Sequence, residues 1–213
     1  MYAESAFLLV VTPLVACLLC VKGRPRLIVA SLVAGMTSCL LSAYVSATIA
    51  QMMGASTDMA TVEISPFVEE VIKLLAPLFY LAVMTPRSDD INLAFIFVAV
   101  GFATMESAFY LLDAESVAPT LLALRGLSAG MMHLSCGMLM SFGFVRMWPH
   151  SWLRAAGSVG LLSFSIAYHG FYNLLSAAGG VANIVAIVLP LGTLAILIAA
   201  RYYSDTLRGE PLS

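Results

Sequence analysis

Seven stretches of this chain stay apolar for roughly twenty residues at a time, over residues 5–21, 28–53, 66–84, 91–112, 126–145, 153–175 and 181–200. No soluble fold can hide that many runs of that length. At 1.5 Å per residue, each is about long enough to cross a ~30 Å hydrocarbon core as a helix. Composition points the same way. Of the 213 residues, 61% are hydrophobic and only 10% are charged, against about 25% charged in soluble domains. The runs are continuous and not alternating, which argues against a β-barrel. In lipid every backbone polar group needs an internal partner. The expected fold is therefore all-α, a polytopic helix bundle in a lipid bilayer with about seven transmembrane helices. Short connections make it a single domain over residues 1–213, with a polar, partly disordered tail at 201–213.

The N-terminal segment MYAESAFLLVV lacks the positive region of a cleaved signal peptide. The first run is expected to stay as an uncleaved span. Lys22, Arg24, Arg26, Arg87, Arg146, Arg154, Arg201 and Arg208 flank one side of the seven-span arrangement, and Arg125 falls on the other. Positive charge collects on the cytoplasmic side. That bias places the N-terminus outside and the C-terminus in the cytoplasm. The loops at 54–65 and 113–125, which carry Asp58, Glu63, Asp113 and Glu115, then face outward. The net charge of −2 and the lack of a basic patch give no reason to expect nucleic acid as a partner. The four cysteines, Cys17, Cys20, Cys39 and Cys136, lie inside apolar runs and read as small hydrophobes. His150 falls in an inner loop and reads as solvated.

Six ionisable residues sit inside the runs: Glu69, Glu70, Lys73, Glu106, His133 and His169. A charged side chain at mid-membrane costs about 2.5–3.5 kcal/mol by insertion scales, so such residues pair, line cavities or do chemistry. Their depths agree. Glu69 and Glu70 follow just after the outer start of the third run, at Pro66. Glu106 precedes the outer end of the fourth run. His133 follows the outer start of the fifth, and His169 precedes the outer end of the sixth. All lie roughly 5–10 Å below the outer boundary. Four consecutive helices therefore contribute acids and imidazoles to one thin layer.

Helical spacing adds neighbours. Glu69 and Lys73 are i and i+4, and Glu70 and Lys73 are i and i+3, so either pair can form. Tyr110 stands one turn from Glu106, and Asn173 one turn from His169. Ser65 and Pro66 read as the N-cap and first residue of the third helix. Pro77 interrupts that helix and is expected to kink it.

Two adjacent carboxylates in a low-dielectric pocket cannot both ionise cheaply. One keeps its charge beside Lys73 while the other holds a proton, which is how general acid–base pairs are made. The two histidines offer a proton shuttle, an oxyanion donor or metal ligands, and Asn173 offers an oxyanion donor. Ser107 and Ser135 carry no nucleophile signature, so activation of a water, and hence hydrolysis, is the economical chemistry.

The segments PFVEEVIK, GFATMESAFYLL, MMHLSCGM and AYHGFYNLL together resemble the PrsW family of intramembrane proteases. The resemblance rests on Glu69-Glu70-x-x-Lys73, Glu106-x-x-x-Tyr110, His133 and His169-x-x-x-Asn173 and covers the motif-bearing core at 65–175. That family is grouped with the CPBP or Rce1-like proteases and, more distantly, the APH-1 scaffold. The resemblance implies an endopeptidase that hydrolyses membrane-anchored protein substrates, anti-sigma-factor-like ones among them, in a prokaryotic cytoplasmic membrane. It implies a water activated by Glu69 or Glu70, with Glu69 favoured as base and Glu70 as its partner. Glu106, His133 and His169 complete the catalytic set, with Lys73, Asn173 and Tyr110 supporting. It leaves open a metal-free mechanism or one assisted by zinc or another divalent metal, with Glu106, His133 and His169 as candidate ligands. Cleavage is expected near the outer membrane face. Two other readings of the polar layer stand beside it: a non-catalytic APH-1-like scaffold, and a proton-coupled transporter.

Overall fold

The computed structural model describes residues 2–84, 87–113 and 119–208. Glu115, placed above in an outward loop, and the tail from 209 onward lie outside the described residues, as do the side chains of Asp113 and Arg208. The helices are α1 (Tyr2–Cys20), α2 (Gly23–Met53), a single turn α3 (Thr57–Met59), α4 (Ser65–Val83), α5 (Ser88–Asp113), α6 (Pro119–Met147), α7 (Ser151–Ala178) and α8 (Gly180–Arg208). There is no strand among the described residues. Residues 201–208 continue α8 as helix.

Five helices, α1, α2, α5, α6 and α8, are long and apolar enough to cross a membrane by length and composition. α4 and α7 fall short because of what they carry. α4 spends three of its 19 residues on Glu69, Glu70 and Lys73, and α7 holds His169 and Asn173. The residues that give the chain its chemistry are the ones that blur its hydropathy.

α5 is the central helix and packs most closely against α2 and α6. Glycine makes the α2–α5 contact possible. A Cβ on Gly35 would lie 2.1 Å from the Val98 carbonyl oxygen, and one on Gly101 would lie 2.2 Å from that of Leu32. Two backbones can approach this closely only where both helices present small residues, the usual device of membrane helices. At one end of the bundle Arg24, on α2, donates to Asp89 at 2.9 Å and Asp90 at 3.2 Å, on α5. Arg146, on α6, donates to Ser204, on α8, at 2.7 Å. The ends rich in basic residues are thus gathered together.

The entry to α4 departs from the sequence reading. Ser65 is no N-cap: the backbone is already helical at Ile64. The helix starts at Ser56, whose hydroxyl accepts from the Met59 amide at 3.2 Å, and runs through a π-helical turn, Ala60–Ile64. Within this turn the Ser65 amide reaches back to the Ala60 carbonyl. It therefore does not bond Thr61, and Pro66 has no N–H to offer in its place. The Thr61 carbonyl is left without a helical partner, and the Asn173 side chain donates to it at 2.9 Å. Farther along, α4 continues past Pro77 to Val83.

Candidate active site

α4 supplies Glu69, Glu70 and Lys73, α5 supplies Glu106, α6 supplies His133, and α7 supplies His169. All six meet. Lys73 Nζ donates to Glu70 Oε1 at 2.5 Å and contacts His133 Nδ1 at 2.9 Å. His133 Nε2 lies 2.7 Å from Glu106 Oε2. His169 Nδ1 lies 2.9 Å from Glu70 Oε1, and its Nε2 stands 3.8 Å from Glu69 Oε2. The two imidazoles meet edge to face, with ring centroids 5.0 Å apart. Phe102 caps the group, its ring 4.9 Å from that of His133 and 4.6 Å from Lys73 Nζ. Glu70, Lys73, His133 and His169 are all buried.

Hydrogen-bond chemistry assigns the protons. A lysine ammonium can only donate, so His133 Nδ1 accepts and its Nε2–H donates to Glu106. An ionised carboxylate can only accept, so His169 Nδ1–H donates to Glu70, and Nε2 is the ring nitrogen that faces Glu69. The spacing rules allowed Lys73 either glutamate. The i,i+3 partner Glu70 has it, because both side chains turn into the bundle beside His133.

Glu69 differs from the rest. Its Oε2 is buried and has no hydrogen-bond partner among the described residues. Glu69 and Glu106 line a cavity of about 320 Å³ between α2, the π-helical turn and α5. On the other side of the cluster a space of only about 20 Å³, room for about one water, is lined by Glu70, Lys73, His133 and Cys136.

Two expected supporting residues have other partners. The Asn173 amide is bonded to Thr61. The Tyr110 hydroxyl accepts from Arg125 at 2.8 Å, with the guanidinium 4.3 Å above the ring. The sequence reading overlooked α2. Its Cys39, Ser42 and Ser46 form part of the cavity wall, and the four-residue spacing of Ser38, Ser42 and Ser46 was the available signal.

The donor atoms of Glu69, His133 and His169 all lie within 4.8 Å of one another. Glu106, expected above as the carboxylate ligand, instead bonds His133. Two imidazoles and a carboxylate are a donor set that catalytic zinc uses, and the orphaned Glu69 Oε2 and free His169 Nε2 suit a cation. His133 would join only by giving up one of its two hydrogen bonds. The donors thus fit a divalent ion, with that one exchange.

A helical membrane protein that buries carboxylates and imidazoles against a cavity has the parts of an intramembrane hydrolase. The chain belongs to the PrsW family of intramembrane metalloproteases, whose family model matches residues 23–200. No curated protein and no solved structure gives a significant match.

Proposed function

We propose that this protease cuts membrane-anchored protein substrates near the outer membrane face, with Glu69 as the group that activates the attacking water. The orphaned, buried Oε2 of Glu69 on the cavity wall carries this reading. A water held there loses its proton to Glu69 as its oxygen adds to the peptide carbonyl carbon. Collapse of the adduct breaks the C–N bond, and the proton passes to the leaving amine. Glu70 is committed to Lys73 and His169 and holds both in place. Glu106 orients His133 and is the second carboxylate facing the substrate.

A divalent ion such as zinc would supply Lewis-acid polarisation and a more acidic water, and Glu69, His133 and His169 are the residues that would hold it. With Glu69 so engaged, proton transfer falls to Glu106. Asn173 acts through the π-helical turn, as a positioning residue for α4. The positive-charge bias supports seven spans in one domain, with the N-terminus outside and the C-terminus cytoplasmic.

The test is cleavage of a single-span reporter protein by the purified enzyme in vesicles. Glu69→Gln should lower the rate by roughly 10²–10⁴-fold, the contribution of a general base, with the cut mapped to the outer side of the reporter span. Undiminished cutting by the variant, or a cut confined to the cytoplasmic side, would remove the proposal.

A further inference from the structure

A further pocket, of about 180 Å³, lies between α6, α7 and α8 and shares no residue with the Glu69 cavity. It is smaller than the ~300 Å³ at which pockets for whole small molecules begin, so its occupant is part of something longer. That occupant needs no polar group. Three hydroxyls line the pocket, and each is already bonded inside the bundle. Tyr168 donates to Thr193 Oγ1 at 3.0 Å, Thr193 to the Leu189 carbonyl at 2.9 Å, and Ser135 to the Met131 carbonyl at 2.8 Å. The rim is apolar and faces outward, with Phe164 57% and Ile196 69% exposed. In a bilayer such a rim meets acyl chains.

Charge says which lipid. On α8, Thr193 and Leu197 are followed at the same four-residue spacing by Arg201. On α6, Arg146 comes seven residues after Leu139, and on α7, Arg154 comes fourteen before Tyr168. Each arginine therefore lies on the helix face that lines the pocket, at the basic end of the bundle. Arg201 stands one turn, about 6 Å, beyond Leu197. Trp148, Trp152, Tyr202 and Tyr203 lie at the same ends of these helices, and such aromatic residues settle at headgroup level. Arg154 joins that belt, donating to the Trp148 carbonyl at 2.6 Å with its guanidinium 5.3 Å from the indole ring.

We propose that this pocket seats one acyl chain of an anionic phospholipid whose phosphate is held at Arg146, Arg154 and Arg201. Cations above an apolar groove between membrane helices are how proteins select such lipids. A helix of a second copy or of a substrate, about 10 Å across, is too wide for the space. The seated chain lies against Cys136, which also walls the one-water space beside Glu70, Lys73 and His133. It therefore buttresses α6 and α7, the helices that present His133 and His169, whatever reaction they perform.

The test places photo-leucine, a diazirine analogue, at position 197 of the full chain. The vesicles are phosphatidylethanolamine with phosphatidylglycerol as the minor component, and a single-span reporter is reconstituted alongside. After irradiation the adducts are weighed by mass spectrometry. Photo-leucine at position 188, where Val188 is 59% exposed and outside the pocket, is the control and should take lipids in bulk proportion. At position 197 the phosphatidylglycerol adduct should be enriched about fivefold for each arginine that holds the headgroup. Arg154→Gln together with Arg201→Gln should return it to the bulk proportion. Phosphatidylglycerol added in detergent should raise the melting temperature of wild type, and the double variant should lose that gain.

Lipid adducts at position 197 that are absent or in bulk proportion overturn the inference, and so does an enrichment that survives the double variant. An adduct with a second copy or with the reporter overturns it too, because a protein then fills the pocket. If circular dichroism shows the double variant misfolded, Arg154→Gln alone, at an exposed position, should lower the enrichment about fivefold, and an unchanged enrichment overturns the inference.

Discussion

Glu69 and Glu70 are neighbours in the chain and opposites in the fold. On the Glu70 side, each polar group has a partner: Lys73, His169 and, through Lys73, His133. The space there admits about one water. On the Glu69 side an oxygen is left over and a large cavity begins. One half of the cluster is closed and saturated, and the other is open and incomplete. The closed half is what a low-dielectric medium demands, since an unpaired buried charge is costly. The open half tolerates the deficit because a reactant can complete it.

The contrast predicts that substitutions will separate into losses of folding and losses of turnover. The largest effect on folding belongs to the closed half. Glu70→Ala strands Lys73 and should cost about 3–5 kcal/mol, read as a lower melting temperature in detergent. Replacing both partners, Glu70→Gln with Lys73→Met, should recover part of it. If Glu69→Gln destabilises the protein as much as Glu70→Ala, the division between the two halves is wrong.

A smaller effect lies at the junction. Glu106→Gln weakens the grip on His133 and should reduce zinc affinity about 10–100-fold, as loss of such outer partners does. Competition with a fluorescent chelator reads it. Unchanged affinity would mean that His133 does not ligate through Nδ1 with Glu106 behind it.

The smallest lies at the edge of the site. Asn173→Ala removes one hydrogen bond and should cost about 0.5–1.5 kcal/mol. Hydrogen exchange should rise within residues 60–64 and stay unchanged along α6.

The layer of acids and imidazoles was legible in the sequence because membrane depth is a one-dimensional property. Counting from the ends of apolar runs placed Glu69, Glu70, Glu106, His133 and His169 at one height, and in the structure their side chains meet or line a common cavity. The existence of each helix was legible for the same reason, its limits less so. The expected run 91–112 is α5, Ser88–Asp113, but α6 begins at Pro119, inside the expected loop 113–125, residues 57–64 of the expected loop 54–65 are helical, and α8 runs on to Arg208. Apolar runs mark where lipid begins, and a helix continues past that point wherever its polar end residues still favour it.

Rotation about each helix axis was not legible. Spacing allowed Lys73 either glutamate, and only tertiary packing decided for Glu70. The N-cap at Ser65 failed because local propensity sees Ser-Pro but not Asn173, which lies more than a hundred residues later and partners the carbonyl released in the wide turn. The α2 wall was missed because small residues in an apolar run look like packing until a cavity is seen beside them.

The widened turn at Ala60–Ile64 also fixes how the chain can change length. It accommodates one residue more than a regular turn, and each residue turns a helix by about 100°. Loss of a single amino acid there would let the segment rewind as ordinary helix with everything after it still in register, so Glu69, Glu70 and Lys73 would keep their faces. The carbonyl that Asn173 now reaches would be taken back into the helix. A one-residue deletion inside the wide turn should therefore be far better tolerated than one in a regular turn of α4 ahead of Glu69, which would rotate the glutamates and the lysine by that angle.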